Sequence, residues 1–207
     1  MQFNKTWTPA ALNATGLATA VAAASNNYAL AANDAGDSLA HIITFAGKAV
    51  TNYAGRTVTI VGTDADSLPQ TDVIAAGPNG VASVSSAKYF RMVTSVIMSG
   101  ATSGADTFDI GWTGVSVGQT IGLEKWSAAT AAIACDVTGT CNFTIQQTPE
   151  DFFNTPQQNG FWGTAIAGGA IDVVGSTTMS MRCVRVLINS LNAGATLRVS
   201  IAQAITP

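Results

Sequence analysis

The single histidine, His41, is the only imidazole that could serve a nucleophilic triad or a zinc site. Ser–His and Cys–His catalysis both use that ring as a base, and a zinc site would need cysteines or carboxylates for its other ligands. His41 lies in an apolar run from Leu39 to Ile43, which is typical of a strand. We therefore interpret His41 as a hydrogen-bonded or surface residue and expect that the chain is not an enzyme.

The closely spaced carboxylates of Asp64 and Asp66 are the best candidates for metal ligands, because calcium prefers oxygen donors. The surrounding loop does not fit an EF-hand, since Pro69 stands where glycine is needed and Ala75 stands where the bidentate glutamate is needed. Asp and Pro are also favoured in plain β-turns. We expect a turn here, with no metal and no cofactor. Two further acidic pairs lie beside Gly or Pro and are interpreted as solvated turn charges: Asp106 with Asp109, and Glu150 with Asp151.

The three cysteines, Cys135, Cys141 and Cys183, form an odd and sparse set that favours synthesis in a reducing compartment. Cys135 and Cys141 could face each other across a hairpin and form a disulfide. The alternative, which we favour, is that they are buried free thiols that pack as small hydrophobic groups. Their spacing, without further ligands, is not a zinc motif.

Aromatic residues cluster around a segment that contains two prolines, from Thr148 to Pro156. Such a loop either plugs one end of a sandwich or presents an anchor to a partner. A weak glycan-binding platform is a further alternative, with Trp162 near Glu150 and Asp151. Apolar residues of the opening segment and of this loop are the candidate partner-binding residues: Trp7, Leu12, Leu17, Phe152, Phe153 and Trp162.

The composition points to an assembly component. Of the 207 residues, 47% are hydrophobic and only 10% are charged, and the net charge is −3. A surface with so few charges resists association poorly, which suits a protein whose surface is covered by partners. The chain lacks the basic patch that nucleic acid requires, so nucleic acid is not an expected partner. We also expect no signal peptide and no membrane segment, because the Ala-rich stretch is interrupted at Ser25.

Short runs rich in Val, Ile, Thr and Phe recur from Leu39 onward, and turn residues separate them. This pattern predicts an all-β chain of antiparallel β-sandwich or jelly-roll-like units. We expect two units, residues 38–126 and residues 127–207, which could pack as one body. Residues 1–37 are expected to form an Ala-rich N-terminal arm, either with a short helix from Ala18 to Ala24 or extended, packed on its own body or on a neighbouring subunit.

An internal repeat accompanies this division. The run from Phe90 to Ser99 aligns with the run from Met181 to Ser190, with Arg, Val, Ile and Ser in register. Each copy is followed by a Gly-containing turn and a return strand, beginning at Gly104 and at Gly194. Two similar β-units, one in each half, would explain the match, although hairpins of similar composition would also align.

Several of these runs resemble a loosely defined group of structural proteins of tailed bacteriophages. The progression VTGTD, TGPN and KxFxxVTSI of that group is similar to residues 56–66, 76–80 and 88–96. Residues 143–151 and 182–203 look like the second half of the same proteins. The resemblance implies a β-rich virion component that is assembled in the host bacterial cytoplasm, and no catalytic residues come with it.

Within that group, the expected role is a capsid decoration or cement protein that binds and stabilises the major capsid protein shell. A homo-oligomer is expected, with a trimer suited to threefold positions of a symmetric shell. The alternatives are a head–tail connector, tail or baseplate component that contacts other virion proteins, and a glycan-binding β-sandwich module.

Overall fold

The chain is all-β and its sheets are antiparallel, which is consistent with β-sandwich architecture. The computed structural model describes residues 2–22, 27–100, 105–123, 130–150, 157, 160–169, 171–177 and 181–203. Their strands are β1 (Gln2–Trp7), β2 (Asn13–Ala22), β3 (Ala40–Gly47), β4 (Val58–Thr63), β5 (Pro69–Ile74), β6 (Ser83–Phe90), β7 (Met92–Met98), β8 (Thr107–Val117), β9 (Ile121–Gly122), β10 (Ala131–Thr138), β11 (Cys141–Thr148), β12 (Gly163–Ala167), β13 (Val173–Ser176), β14 (Cys183–Leu191) and β15 (Thr196–Gln203).

The chain divides into two compact units. The first unit is Leu12–Thr113, and the second unit combines Met1–Ala11 with Gly114–Pro207. The division therefore follows Thr113, whereas the sequence pattern placed it after residue 126. It also separates the first eleven residues from the remainder of the expected arm.

The first unit contains two sheets with alternating burial along their strands. One has the order β6-β3-β8-β2 and the other has the order β5-β4-β7. In β4 every second residue is buried, as the period of two requires for a strand with one face in the core. The core holds an aromatic cluster in which the Phe108 ring lies 4.8 Å from Phe45, 5.2 Å from Tyr28 and 5.4 Å from Tyr53, measured between ring centroids.

The second unit also contains two groups of strands. One sheet has the order β13-β10-β15-β1, and the other strands have the order β12-β11-β14. β14 also pairs with β9 and with Ser116 and Val117 at the end of β8. Phe143, Ile145, Ile188 and Leu197 are among its fully buried side chains.

The two units share one strand order. β6-β3-β8-β2 corresponds to β13-β10-β15-β1, and β5-β4-β7 corresponds to β12-β11-β14. The aligned runs of the internal repeat fall at the equivalent strands β7 and β14. The two units differ in where their first strand lies along the chain. β2 directly precedes β3, whereas the whole first unit separates β1 from β10. The order of the strands thus agrees in the two halves, although their connection to the N-terminal strand does not.

The expected N-terminal arm is extended and belongs to the sheets of the chain itself, which is one of the alternatives that the sequence left open. β1 pairs with β15 along its whole length, and β2 pairs with β8. Gly16 lies so close to the ring of Trp112 that a Cβ there would overlap it. The possible helix from Ala18 is wrong over residues 18–22, which belong to β2; residues 23 and 24 lie outside the described residues. The packing of β2 against β8 overrides the high helix propensity of alanine.

The return strands of the repeat do not close hairpins. β7 pairs with β4, and β8 belongs to the other sheet of the first unit. β14 and β15 likewise belong to different sheets of the second unit. The Gly-containing turns therefore carry the chain from one sheet to the other in both units. A turn-and-strand pattern indicates where the chain reverses but not which partner the next strand takes.

Candidate functional site

Trp7 lies at the end of β1 and lines a cleft of the second unit. Phe3, Lys5 and Trp7 alternate along β1 and share one face, and that face borders residues 119–122 across a cavity of about 260 Å³. The Lys5 ammonium lies 5.1 Å from the centroid of the Trp7 ring, within the range of a cation–π contact. Trp7 is 3% exposed, and its indole Nε1–H has no hydrogen-bond acceptor among the described residues. The cleft therefore combines aromatic walls with one cation.

Trp162 belongs to a different cluster of the same unit. The Arg185 guanidinium lies 4.1 Å from the centroid of its ring, and the indole Nε1–H donates to the Gln157 carbonyl at 2.8 Å. Arg185 is buried and donates from Nε to Gln146 Oε1 at 2.8 Å and from Nη1 to Gln157 Oε1 at 3.0 Å. Arg185 covers one face of the indole, so at most the other face could stack against a sugar ring.

Replacing Arg185 tests this cluster. We expect Arg185→Ala to lower the free energy of unfolding by about 2–4 kcal/mol, because buried acceptors lose charged donors and the indole loses its cation. Arg185→Lys should recover only part of that loss, since an ammonium cannot reproduce the planar fork. Urea denaturation measures both. Arg198→Ala is the matched control: its 2.7 Å ion pair with Asp136 is half-exposed, so the change should cost less than about 1 kcal/mol. Equal losses for Arg185→Ala and Arg198→Ala would contradict this interpretation.

The remaining candidate partner residues do not join these two clusters. Leu12 is exposed, but it belongs to the first unit. Leu17 is buried in the same unit, and its carbonyl accepts hydrogen bonds from the Ala31 and Ala32 amides at 2.7 and 3.2 Å. Leu17 is therefore a core residue of the first unit. Phe152 and Phe153 lie outside the described residues.

His41 is buried, and both ring nitrogens face oxygen atoms. Nε2 lies 2.9 Å from the Asp37 carboxylate, and Nδ1 lies 3.1 Å from the Thr113 carbonyl. This pair links the segment before β3 to the end of the first unit. The geometry agrees with the interpretation of His41 as a hydrogen-bonded residue, which here contacts the Asp37 side chain and the Thr113 backbone.

The acidic residues serve the backbone or pair with other side chains. Asp64 Oδ1 accepts the amides of Asp66 and Leu68, each at 2.9 Å, in the turn between β4 and β5. Asp106 and Asp109 are nearly buried, so their interpretation as solvated turn charges is wrong. They were misread because their partners are distant in the sequence: Tyr53 donates to Asp106, and the Lys48 ammonium lies 3.0 Å from the Asp109 carboxylate. Across the described residues, no three His, Cys, Asp or Glu side chains converge as a metal site would require.

Cys135 and Cys141 are buried free thiols. They lie on β10 and β11, which belong to different sheets, so they do not face each other across a ladder. Burial raises the pKa of the Cys135 thiol to about 12 and also raises the pKa of Cys141. Both thiols therefore stay protonated at neutral pH, where the thiolate is the reactive form.

Sequence reasoning missed two surface features. One is the cleft beside β1, although the alternation of Phe3, Lys5 and Trp7 carries the period of a strand. The other is a set of strongly exposed apolar side chains: Val50 and Val81 in the first unit, and Phe161, Ile171 and Val174 in the second. An exposed valine has no sequence signature of its own, because alternation alone does not identify the outer face.

Membrane-spanning helices are absent from the described part of the chain. A scan against protein-family models finds no match to this chain, and a search of curated proteins finds no similar sequence.

Proposed function

We propose that this chain is a structural component of a bacteriophage virion, and specifically a decoration or cement protein that binds the major capsid shell. The observation that carries the proposal is the outer face of the sheet β13-β10-β15-β1. Small or uncharged side chains cover much of it, and its register brings Ala134, Ser200 and Asn4 side by side. Burial of such a face against a partner desolvates few charges and therefore costs little free energy.

The charges on this face are balanced. Arg198 and Asp136 lie opposite each other in the register and pair at 2.7 Å. Beside them, Val174 is 82% exposed on the edge strand β13. A neutral face with an exposed apolar side chain at its edge is suited to another protein surface and unsuited to a polyanion.

The resemblance to phage structural proteins narrows the partner to virion proteins. A clamp that binds only the assembled shell stabilises it by mass action, and many copies on one particle multiply that effect. A homo-oligomer, with a trimer as the simplest form for threefold positions, suits a symmetric shell. A neutral sheet face would also suit a component of the connector, tail or baseplate, and this is the second candidate location.

Rebinding to particles tests the proposal. Purified chain is mixed with virions assembled without it, and the particles are pelleted. We expect saturable co-sedimentation and a higher temperature of particle disruption. Val174→Glu should weaken binding, because it places an unpaired charge at the neutral face. Val73→Glu, on an exposed position of β5 in the first unit, is the matched control and should bind normally. A chain that stays in the supernatant at every concentration would contradict the proposal.

A further inference from the structure

The outer edge of β1 has no pairing partner in the described part of the chain. β1 is the last strand of its sheet and is hydrogen-bonded on one side only, to β15. The equivalent strand of the first unit, β2, has an additional hydrogen-bond partner. Its Leu17 carbonyl accepts hydrogen bonds from the amides of Ala31 and Ala32. An uncovered strand edge is a template for pairing with another extended chain.

The cleft next to this edge has a defined chemical character. Phe3, Trp7 and Ile121 supply apolar walls, and Lys5 supplies the positive charge. Lys5 forms no ion pair with any described carboxylate. An oxygen acceptor beside Lys5 is favoured when it carries negative charge.

We propose that β1 and its cleft bind an extended, acidic segment of a partner protein. The segment adds to the edge of β1 as a further strand and places an Asp or Glu side chain in the cleft, where the carboxylate meets the Lys5 ammonium beside the Trp7 ring. The proposal deepens the proposed function in one respect, because it takes the partner to be another structural protein. The binding chemistry itself depends only on the second unit.

Fluorescence anisotropy with a synthetic strand tests the site on the full chain. The probe is a fluorescein-labelled Thr-Val-Glu-Val-Thr peptide with a C-terminal amide. One comparison peptide carries Gln in place of Glu, which removes the charge. Another carries Pro in place of both Val residues, which removes backbone donors that strand pairing uses. Free acetate, added as a competitor, distinguishes a strand from a simple carboxylate.

The expected result is saturable binding of the Glu peptide and binding at least about fivefold weaker for the Gln and Pro peptides, because a charge-assisted bond and the strand pairing are lost. Lys5→Met should weaken binding of the Glu peptide by a similar factor, since it removes the charge but keeps apolar bulk. Lys88→Met is the control: the Lys88 ammonium donates to the Thr71 carbonyl in the first unit, so its loss should not change binding. Unchanged urea midpoints show that the variants are folded.

The proposal would be overturned by no binding at millimolar peptide, by equal binding of the Glu and Gln peptides, or by binding that Lys5→Met leaves unchanged. Full competition by acetate at equal concentration would also overturn it, because the strand would then contribute nothing. A second copy of the chain could instead pair with the edge of β1, and sedimentation of the chain alone detects this. Self-association that prevents peptide binding would overturn the proposal of an acidic partner segment. Failure of peptide binding with normal rebinding to particles would refute this site alone and leave the proposed function standing.

Discussion

Deletion of residues 1–37 should abolish cooperative folding of both units. β1 completes a sheet of the second unit and buries Trp7, and β2 completes a sheet of the first unit and buries Leu17. Tyr28, in the same deleted segment, is buried against Phe45 and Phe108. Loss of each such side chain costs about 2–5 kcal/mol, and a typical domain is stable by only about 5–15 kcal/mol. Urea denaturation followed by circular dichroism should therefore show no cooperative transition.

A matched substitution separates loss of core from loss of chain length. Leu12 lies in the deleted segment but is 66% exposed, so Leu12→Ala should change the free energy of unfolding by less than about 0.5 kcal/mol. Leu17→Ala, at a buried leucine of β2, should cost about 2–5 kcal/mol. A truncated chain that retains a sharp transition would mean that the segment is dispensable to both cores.

The second large effect is expected at the centre of the aromatic cluster. Phe108→Ala should lower the free energy of unfolding of the first unit by about 3–5 kcal/mol, because the side chain is buried and contacts three other aromatic rings. The lost ring contacts add to the cost of the cavity. Urea denaturation monitored by circular dichroism measures the change.

Phe161→Ala removes the same atoms from an exposed position. Phe161 is 74% exposed in the second unit, so this variant should unfold within about 0.5 kcal/mol of the parent chain. The contrast between the two Phe→Ala variants depends on burial alone. Similar losses at both positions would show that the Phe108 side chain does not lie in a packed core.

The class of the fold could be predicted because it depends on local pattern. β4 carries the alternation of a half-buried strand and was recognised from Val58 and Ile60. β14 was recognised from Val184 and Val186, although Arg185 between them is also buried.

β2 was missed because its Ala-rich sequence has high helix propensity and little apolar contrast. β1 contains no alanine and was missed because Lys5 interrupts the apolar alternation of Phe3 and Trp7. Their strand structure follows from pairing with β15 and β8, which are distant in the chain. Tertiary pairing of this kind leaves no local signal.

The candidate site could be predicted only in part. Trp7 and Trp162 were predicted to bind a partner, and each ring lies beside a cation. The sequence does not place Lys5 over Trp7 or Arg185 over Trp162, because those contacts depend on strand register and on residues brought together by the fold. The burial of Leu17 could not be predicted for the same reason, since it depends on the two sheets of the first unit.

The copy number of the chain in purified virions tests the central claim most directly. Quantitative mass spectrometry, with the major capsid protein as internal standard, measures it. A decoration or cement protein should be present in hundreds of copies per particle. About a dozen copies would contradict binding to the shell and move the chain to the connector or tail, and absence from the particle would contradict a virion role altogether.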